Sequence, residues 1–219
     1  MILNFFKTKC ISILFISFSS MSFSSSSVLA DSCRHVFVRP AIVFETPSLI
    51  LRQLNQSEAH LVESLKDQPG FALFSSIRSS SRNDQERFVS AFTMTSTIGS
   101  AGGINTFKSG VPLGLGVFDK ATGEFAGVFR LRLIVEEERV SLSRMIVPKF
   151  RNRGFASELD APAMNFVRST FGITKFSRYA LVENVPSNRN IQEKSPFEFV
   201  ETLGEGLGDA VNRYDYDLP

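Results

Sequence analysis

The chain has 219 residues, 43% of them apolar and 21% charged, with a formal net charge of +2. That length holds one ordinary domain, and these fractions exclude wholesale disorder and a polytopic membrane protein. The near-neutral charge and the lack of a basic stripe leave nucleic acid outside the expected partners.

Residues 1–30 read as an export signal. Lys7 and Lys9 precede the apolar run Cys10 to Phe18, and a serine-rich stretch leads to Val28, Leu29 and Ala30. The run is too short to cross a bilayer, so no stable membrane span is expected. Cleavage after Ala30 predicts an exported chain, periplasmic or secreted, that begins at Asp31 and keeps Cys33 as its single thiol. Initiation at Met21 would instead give a cytoplasmic protein. Residues 31–44 read as an extension and residues 45–219 as the domain. His35 and His60 have no second ligand at metal spacing, so no metal site is expected.

Ser48 to Leu54 alternates apolar and polar residues, which predicts a strand. Asn55 to Ser57 offer a cap for a helix over Glu58 to Lys66, where Ala59, Leu61, Val62 and Leu65 share a face and Pro69 and Gly70 stop the element. A second helix is expected from Asp84 to Thr97, capped by Asn83 or Asp84, with Phe88, Val89 and Phe92 inward. Gly99 to Gly110 matches neither phosphate-loop nor dinucleotide spacing and reads as a flexible connection. Leu113 to Asp119 and Phe125 to Val135 read as a hairpin around Gly123. After a turn at Glu136 to Arg139, Val140 to Val147 is a strand stopped by Pro148. Phe155 to Thr170 reads as a helix and Lys175 to Glu183 as a strand parallel to Val140 to Val147 through a right-handed crossover. Asn184 to Pro219 should add one short helix and one or two strands.

The segment Ile146 to Glu158, IVPKFRNRGFASE, joins a strand end, a basic loop and a helix start. Such a junction collects free backbone N–H groups and a positive helix dipole, which suits phosphate. Gly154 permits close approach, and Arg151 and Arg153 add charge. By residue chemistry alone the segment is either an anion site or a solvated basic turn.

The segment resembles the acetyl-CoA loop of the GNAT superfamily, through Val147, Pro148, Phe150, Arg151, Arg153, Gly154 and Ala156. Ser157 and Glu158, the opening stretch Glu45 to Leu54, and Asn184, Ser187, Glu193, Lys194 and Phe197 are similar to the branch that acetylates the N-termini of ribosomal proteins. Two positions depart from that pattern. Pro196 stands where the closing signature has glycine, and Ser141 stands where many members carry a glutamate.

The resemblance implies an α/β fold with a mixed, mostly antiparallel central sheet flanked by helices. Its fourth and fifth strands, Val140 to Val147 and Lys175 to Glu183, would be parallel and splayed. Acetyl-CoA would lie in that gap as co-substrate. Met145, Ile146 and Val147 would hold the pantetheine arm, the amides of Arg151, Asn152, Arg153, Gly154, Phe155 and Ala156 the pyrophosphate, and Asn184 would touch the arm through its side chain. The implied reaction is direct attack of an amine, on a small molecule or a protein N-terminus, upon the thioester. The Met145 or Ile146 amide would stabilise the oxyanion, and Glu183 would either take the amine proton, directly or through water, or stand as a solvated carboxylate at the strand end. Ser187 would either protonate the thiolate or cap the next helix, and Glu158 would serve the helix N-terminus. With Ser141 in place of a base, the competing expectation is a degenerate module that binds CoA or a protein partner without turnover.

Overall fold

The computed structural model describes residues 42–69, 71, 92, 107–204 and 210–219. Among these, eight strands form one sheet: β1 (Ile42–Glu45), β2 (Leu49–Arg52), β3 (Leu113–Asp119), β4 (Phe125–Ile134), β5 (Arg139–Ile146), β6 (Lys175–Leu181), β7 (Glu198–Leu203) and β8 (Val211–Asp217). They lie in the order β1-β2-β3-β4-β5-β6-β8-β7. Every neighbouring pair is antiparallel except β5 and β6, which the helical crossover makes parallel. The helices are α1 (Ala59–Glu63), α2 (Phe155–Glu158), α3 (Asp160–Phe171) and α4 (Val185–Lys194).

Local chemistry explains most of these boundaries. Gly123 sits at φ 72° in the β3–β4 turn, a conformation open to glycine at little steric cost. Asn55 and Glu58 form a capping box, and α1 is flanked by 3₁₀ turns at Gln56–Glu58 and Ser64–Asp67. The predicted helix from Phe155 divides into α2 and α3 beside Leu159. Pro162 supplies the reason, because it has no N–H to donate to the carbonyl of Glu158. Gly172, at φ 75°, ends α3.

All of strand β1 but Glu45 falls in the stretch read from sequence as an extension. Its four residues carry no two-residue alternation, yet Phe44 stacks on Phe166 at 5.6 Å and meets Phe129 edge-on at 6.2 Å. Because β1 precedes the strands read from the sequence, the expected fourth and fifth strands are β5 and β6. Apart from Phe92, the predicted helix Asp84 to Thr97 lies outside the described residues, as does most of Gly99 to Gly110. Phe92 is fully buried, and its carbonyl accepts from Leu54 N at 3.0 Å.

Strand alternation divides the apolar side chains between two faces. Leu115, Phe129, Leu131, Val140, Leu142 and Phe176 pack on Leu159, Ala163 and Val167 of the α2–α3 segment. On the other face Val128 and Met145 meet Val62, Leu65 and Phe92. Each fully buried side chain of this kind contributes roughly 1.5–3 kcal/mol of transfer free energy. Both faces of the sheet are thus anchored, and β5 and β6 are held from outside wherever they part from each other.

Candidate functional site

The parallel ladder runs from Arg139↔Lys175 to Leu142↔Arg178 and stops. Beyond it β5 stays paired with β4 as far as Ile146↔Gly127, while β6 stays paired with β8 as far as Leu181↔Val211. Each strand therefore keeps its outer partner and loses its inner one. The gap is a cleft of about 280 Å³, to which Met145, Ile146, Arg151, Ala156, Asn184 and Ser187 contribute, with Leu142, Ser143, Arg144, Arg178, Tyr179 and Asn190.

The direction of the backbone amides follows from one hydrogen bond. Val147 N donates to Ala126 O at 2.9 Å, so at the end of β5 the odd-numbered amides face β4. By alternation the amides of Arg144 and Ile146 face the β6 side, where the ladder has ended. Of the two expected oxyanion donors, Ile146 thus points into the cleft and Met145 toward β4. The carbonyl of Ile146 is occupied, accepting Arg151 Nε at 2.9 Å.

The basic loop continues from this strand end. Arg151 N donates to Pro148 O at 3.1 Å, which removes it from the expected set of phosphate-binding amides. Asn152 at φ 61° and Gly154 at φ 82° take left-handed conformations that turn successive N–H groups into a concave nest. Ser157 and Glu158 donate to Gly154 O, leaving Phe155 and Ala156 as open amides of the first helical turn. Around Gly154 the nearest space is empty, and an added Cβ would meet no protein atom within 4 Å.

The two loop arginines are engaged with the protein. Arg151 Nη2 donates to Pro69 O at 2.7 Å. Arg153 pairs with the buried Asp119 at 3.1 Å and covers the rings of Phe150 and Phe155 at 5.3 and 4.6 Å. Its expected role as loose positive charge gives way to that of a strut from the loop to β3. Burial pushes the Asp119 carboxyl up, but the Ala121 amide and Arg153 more than offset this and hold it below its ordinary value. Glu158, expected to serve the helix electrostatically, also accepts from Thr46 Oγ1 and from Ser48 N, tying α2 to the β1–β2 turn.

At the far wall Asn184 is the N-cap of α4, its Oδ1 accepting from Ser187 N at 3.3 Å. Ser187 is accordingly the capped donor and not the cap, and its hydroxyl makes no hydrogen bond among the described residues. Asn188 binds the carbonyls of Leu181 and Asn184 through Nδ2 and accepts from Tyr214 Oη at 2.8 Å, which pins the start of α4 to the end of β6. Glu183 lies on the exposed turn between β6 and α4, outside the residues that line the cleft. Val147, Asn152, Arg153, Gly154 and Phe155 also lie outside that lining. Among the described residues, neither carboxylate nor histidine lines the cleft.

The floor of the cleft contains a network that motif reasoning missed. Arg144 on β5 donates to Asp160 Oδ1 at the start of α3, and through Nη2 to Asn190 Oδ1 on α4 at 3.0 Å. Arg178 on β6 donates to Asp160 Oδ2 at 3.3 Å, and Asn190 Nδ2 donates to Ser157 Oγ at 3.0 Å. Two guanidiniums thus share one buried carboxylate. Burial first, and Arg144 second, push Arg178 below its ordinary value, while Asp160 opposes them. The sequence holds one signal for this network: Arg144 stands in phase with the inward-facing Val140, Leu142 and Ile146.

A family model for the GNAT acetyltransferase domain matches residues 48–195. No curated protein sequence matches the chain. Among solved structures it is similar to an acetyl transferase from Salmonella typhimurium that modifies the N-terminal serine of 50S ribosomal subunit protein L7/L12, with a TM-score of 0.63 and 18% identity over 82% of this chain and 100% of that one. It is also similar to a RimL ribosomal L7/L12 alpha-N-protein acetyltransferase in complex with coenzyme A, with a TM-score of 0.61 and 18% identity over 81% of this chain and 98% of that one. A third similar structure is the microcin C7 self immunity acetyltransferase MccE in complex with acetyl-CoA and AMP, with a TM-score of 0.59 and 15% identity over 80% of this chain and 94% of that one.

Proposed function

Because the chain belongs to the GNAT acetyltransferase family, we propose that it transfers an acetyl group from acetyl-CoA to a primary amine, on a peptide or protein N-terminus or a small molecule, by direct attack. The observation that carries this reading is the parting of β5 from β6 directly beside a loop of open amides. A pantetheine arm is itself an amide-bearing chain. It can therefore take the place of the missing strand along the β6-facing edge of β5. The nest from Asn152 to Ala156 suits the pyrophosphate.

Within that frame each step has a candidate. The Ile146 N–H is a fixed donor toward the cleft and would stabilise the oxyanion, a contribution on the order of 10²–10³ in rate. The Ser187 hydroxyl lines the cleft and would return a proton to the leaving thiolate. Glu183, at the rim, would accept the amine proton through water. A similar fold acts on an N-terminal serine, which supports the peptide arm of the acceptor class.

A second reading has its own support. Among the described residues that line the cleft there is no carboxylate or histidine, which favours a module that binds CoA or a protein partner without turnover. Thiol release against peptides and small amines, with calorimetric CoA binding alongside, separates the two. An acetylated amine supports the transferase, CoA binding with every amine untouched selects the module, and a protein that neither binds CoA nor releases thiol sinks both.

The leader reading adds a question of place. Acetyl-CoA is a cytoplasmic metabolite, so an exported copy would act after delivery into another cell's cytoplasm, whereas a start at Met21 keeps the enzyme where its co-substrate is. N-terminal sequencing of native material decides this. A mature start at Asp31 supports export, and retained Met1 or a start at Met21 removes it.

A further inference from the structure

The face of the sheet that carries Met145 also carries a row of polar side chains. Alternation places Arg130 and Arg132 of β4, Arg139, Ser141 and Ser143 of β5, Ser177 and Tyr179 of β6, and Arg213 and Asp215 of β8 on this face. The arginines at its far end are matched with acids. Arg139 pairs with Glu137, Asp215 and Asp217, and Arg213 with Glu137, Glu201 and Asp215.

Arg130 and Arg132 are different. Among the described residues no carboxylate pairs with either. Arg130 is half-buried, and its guanidinium has only the Ser143 hydroxyl, at 3.4 Å. Burial lowers its proton affinity, and so does the like charge of Arg132. A desolvated cation beside a second cation, with no counter-ion, is costly unless something else supplies the negative charge. Planar guanidiniums match carboxylate and phosphate in particular.

Position connects this pair to the cleft. Arg130 lies opposite Ser143, which lines the cleft, and Arg132 lies opposite Ser141. Ser143 and Met145 are two residues apart on one strand, about 7 Å. An acceptor whose amine sits over the end of β5 would thus bring its neighbouring group within reach of Arg130 and Arg132.

We propose that Arg130 and Arg132, with Ser143, form an anion site that selects acceptors bearing a carboxylate or phosphate close to the reacting amine. This rests on the N-acetyltransferase reading for its amine, and on the unmatched arginine pair for its charge. Three peptides that differ only at the second position test it: serine followed by Asp, by Asn or by phosphoserine.

With wild-type protein and acetyl-CoA, at least one charged peptide should exceed the Asn peptide about tenfold or more in kcat/KM, mainly through KM, and the better of the two identifies the anion. In Arg130→Gln and in Arg132→Gln that ratio should fall toward one. Arg132 is exposed, so its variant keeps the test available if Arg130→Gln fails to fold. Calorimetric binding of the same peptides to CoA-saturated protein reads the site without turnover. Charge-selective binding with no acetylation leaves the anion site standing and removes the transferase reading. Acetylation that is indifferent to charge, selectivity that survives both substitutions, or no binding of any peptide overturns the anion site.

Discussion

The seam between β5 and β6 is two different structures along its length. From Arg139 to Leu142 the strands are in register, Ser177 Oγ donates to Asp215 at 2.6 Å, and several acids share Arg139 and Arg213. From Ser143 onward the strands diverge around a wedge in which Arg144 and Arg178 depend on the single carboxylate of Asp160. The closed half is redundant and can lose a partner. Its open counterpart leaves backbone amides unpaired for a ligand and concentrates its stability in one buried group, where low dielectric strengthens a satisfied network and penalises a broken one.

Removing that group should give the largest effect. Asp160→Ala would leave two buried guanidiniums without a counter-charge and should cost about 3–5 kcal/mol. Urea unfolding measures it, and a loss under about 1 kcal/mol would mean that the wedge does not rest on Asp160.

Chemistry at the rim of the open half comes next. Glu183→Gln should lower turnover about 10²-fold at neutral pH, the low end for a positioned base because water must relay the proton. CoA affinity should hold. The loss should shrink as pH rises, since more of the amine is then already neutral; a loss constant across the pH range would assign Glu183 a structural role instead.

Gly154→Val probes the loop beyond the wedge. Its Cβ meets no protein atom, so the fold bears only the cost of a left-handed β-branched residue, roughly 1–2 kcal/mol. The obstruction falls on the pyrophosphate, and CoA affinity should drop about tenfold or more, some 1.4 kcal/mol. Circular dichroism checks the fold and calorimetry the affinity. Unchanged binding by a folded variant would remove Asn152 to Ala156 from the cofactor site.

The smallest effect belongs to the closed half. Ser177→Ala deletes one hydrogen bond to Asp215, which keeps Arg139 and Arg213, and should cost about 1 kcal/mol. A cost equal to that of Asp160→Ala would erase the contrast between the two halves.

Hydrophobic period, glycine and proline are short-range signals, and wherever they operate the sequence by itself determined the outcome. The β3–β4 hairpin, the stop of β5 before Pro148, the parallel return to β6 and the loop at Gly154 all follow from residues within one or two turns of each other. Only the tertiary structure decided the rest, because the partners are distant in the chain. Four residues at β1 carry no alternation and become a strand through Phe129 and Phe166. Arg153 reads as phosphate charge until Asp119, 34 positions away, takes it as a strut. The wedge joins Arg144 to Asp160 and Asn190, 16 and 46 positions along, so neither pairing nor burial could be read locally. Charge matching on the polar face has the same origin. Arg130 and Arg139 look alike in sequence, but the packing of β8 beside β6 brings Asp215 and Asp217 to Arg139, while among the described residues no carboxylate pairs with Arg130.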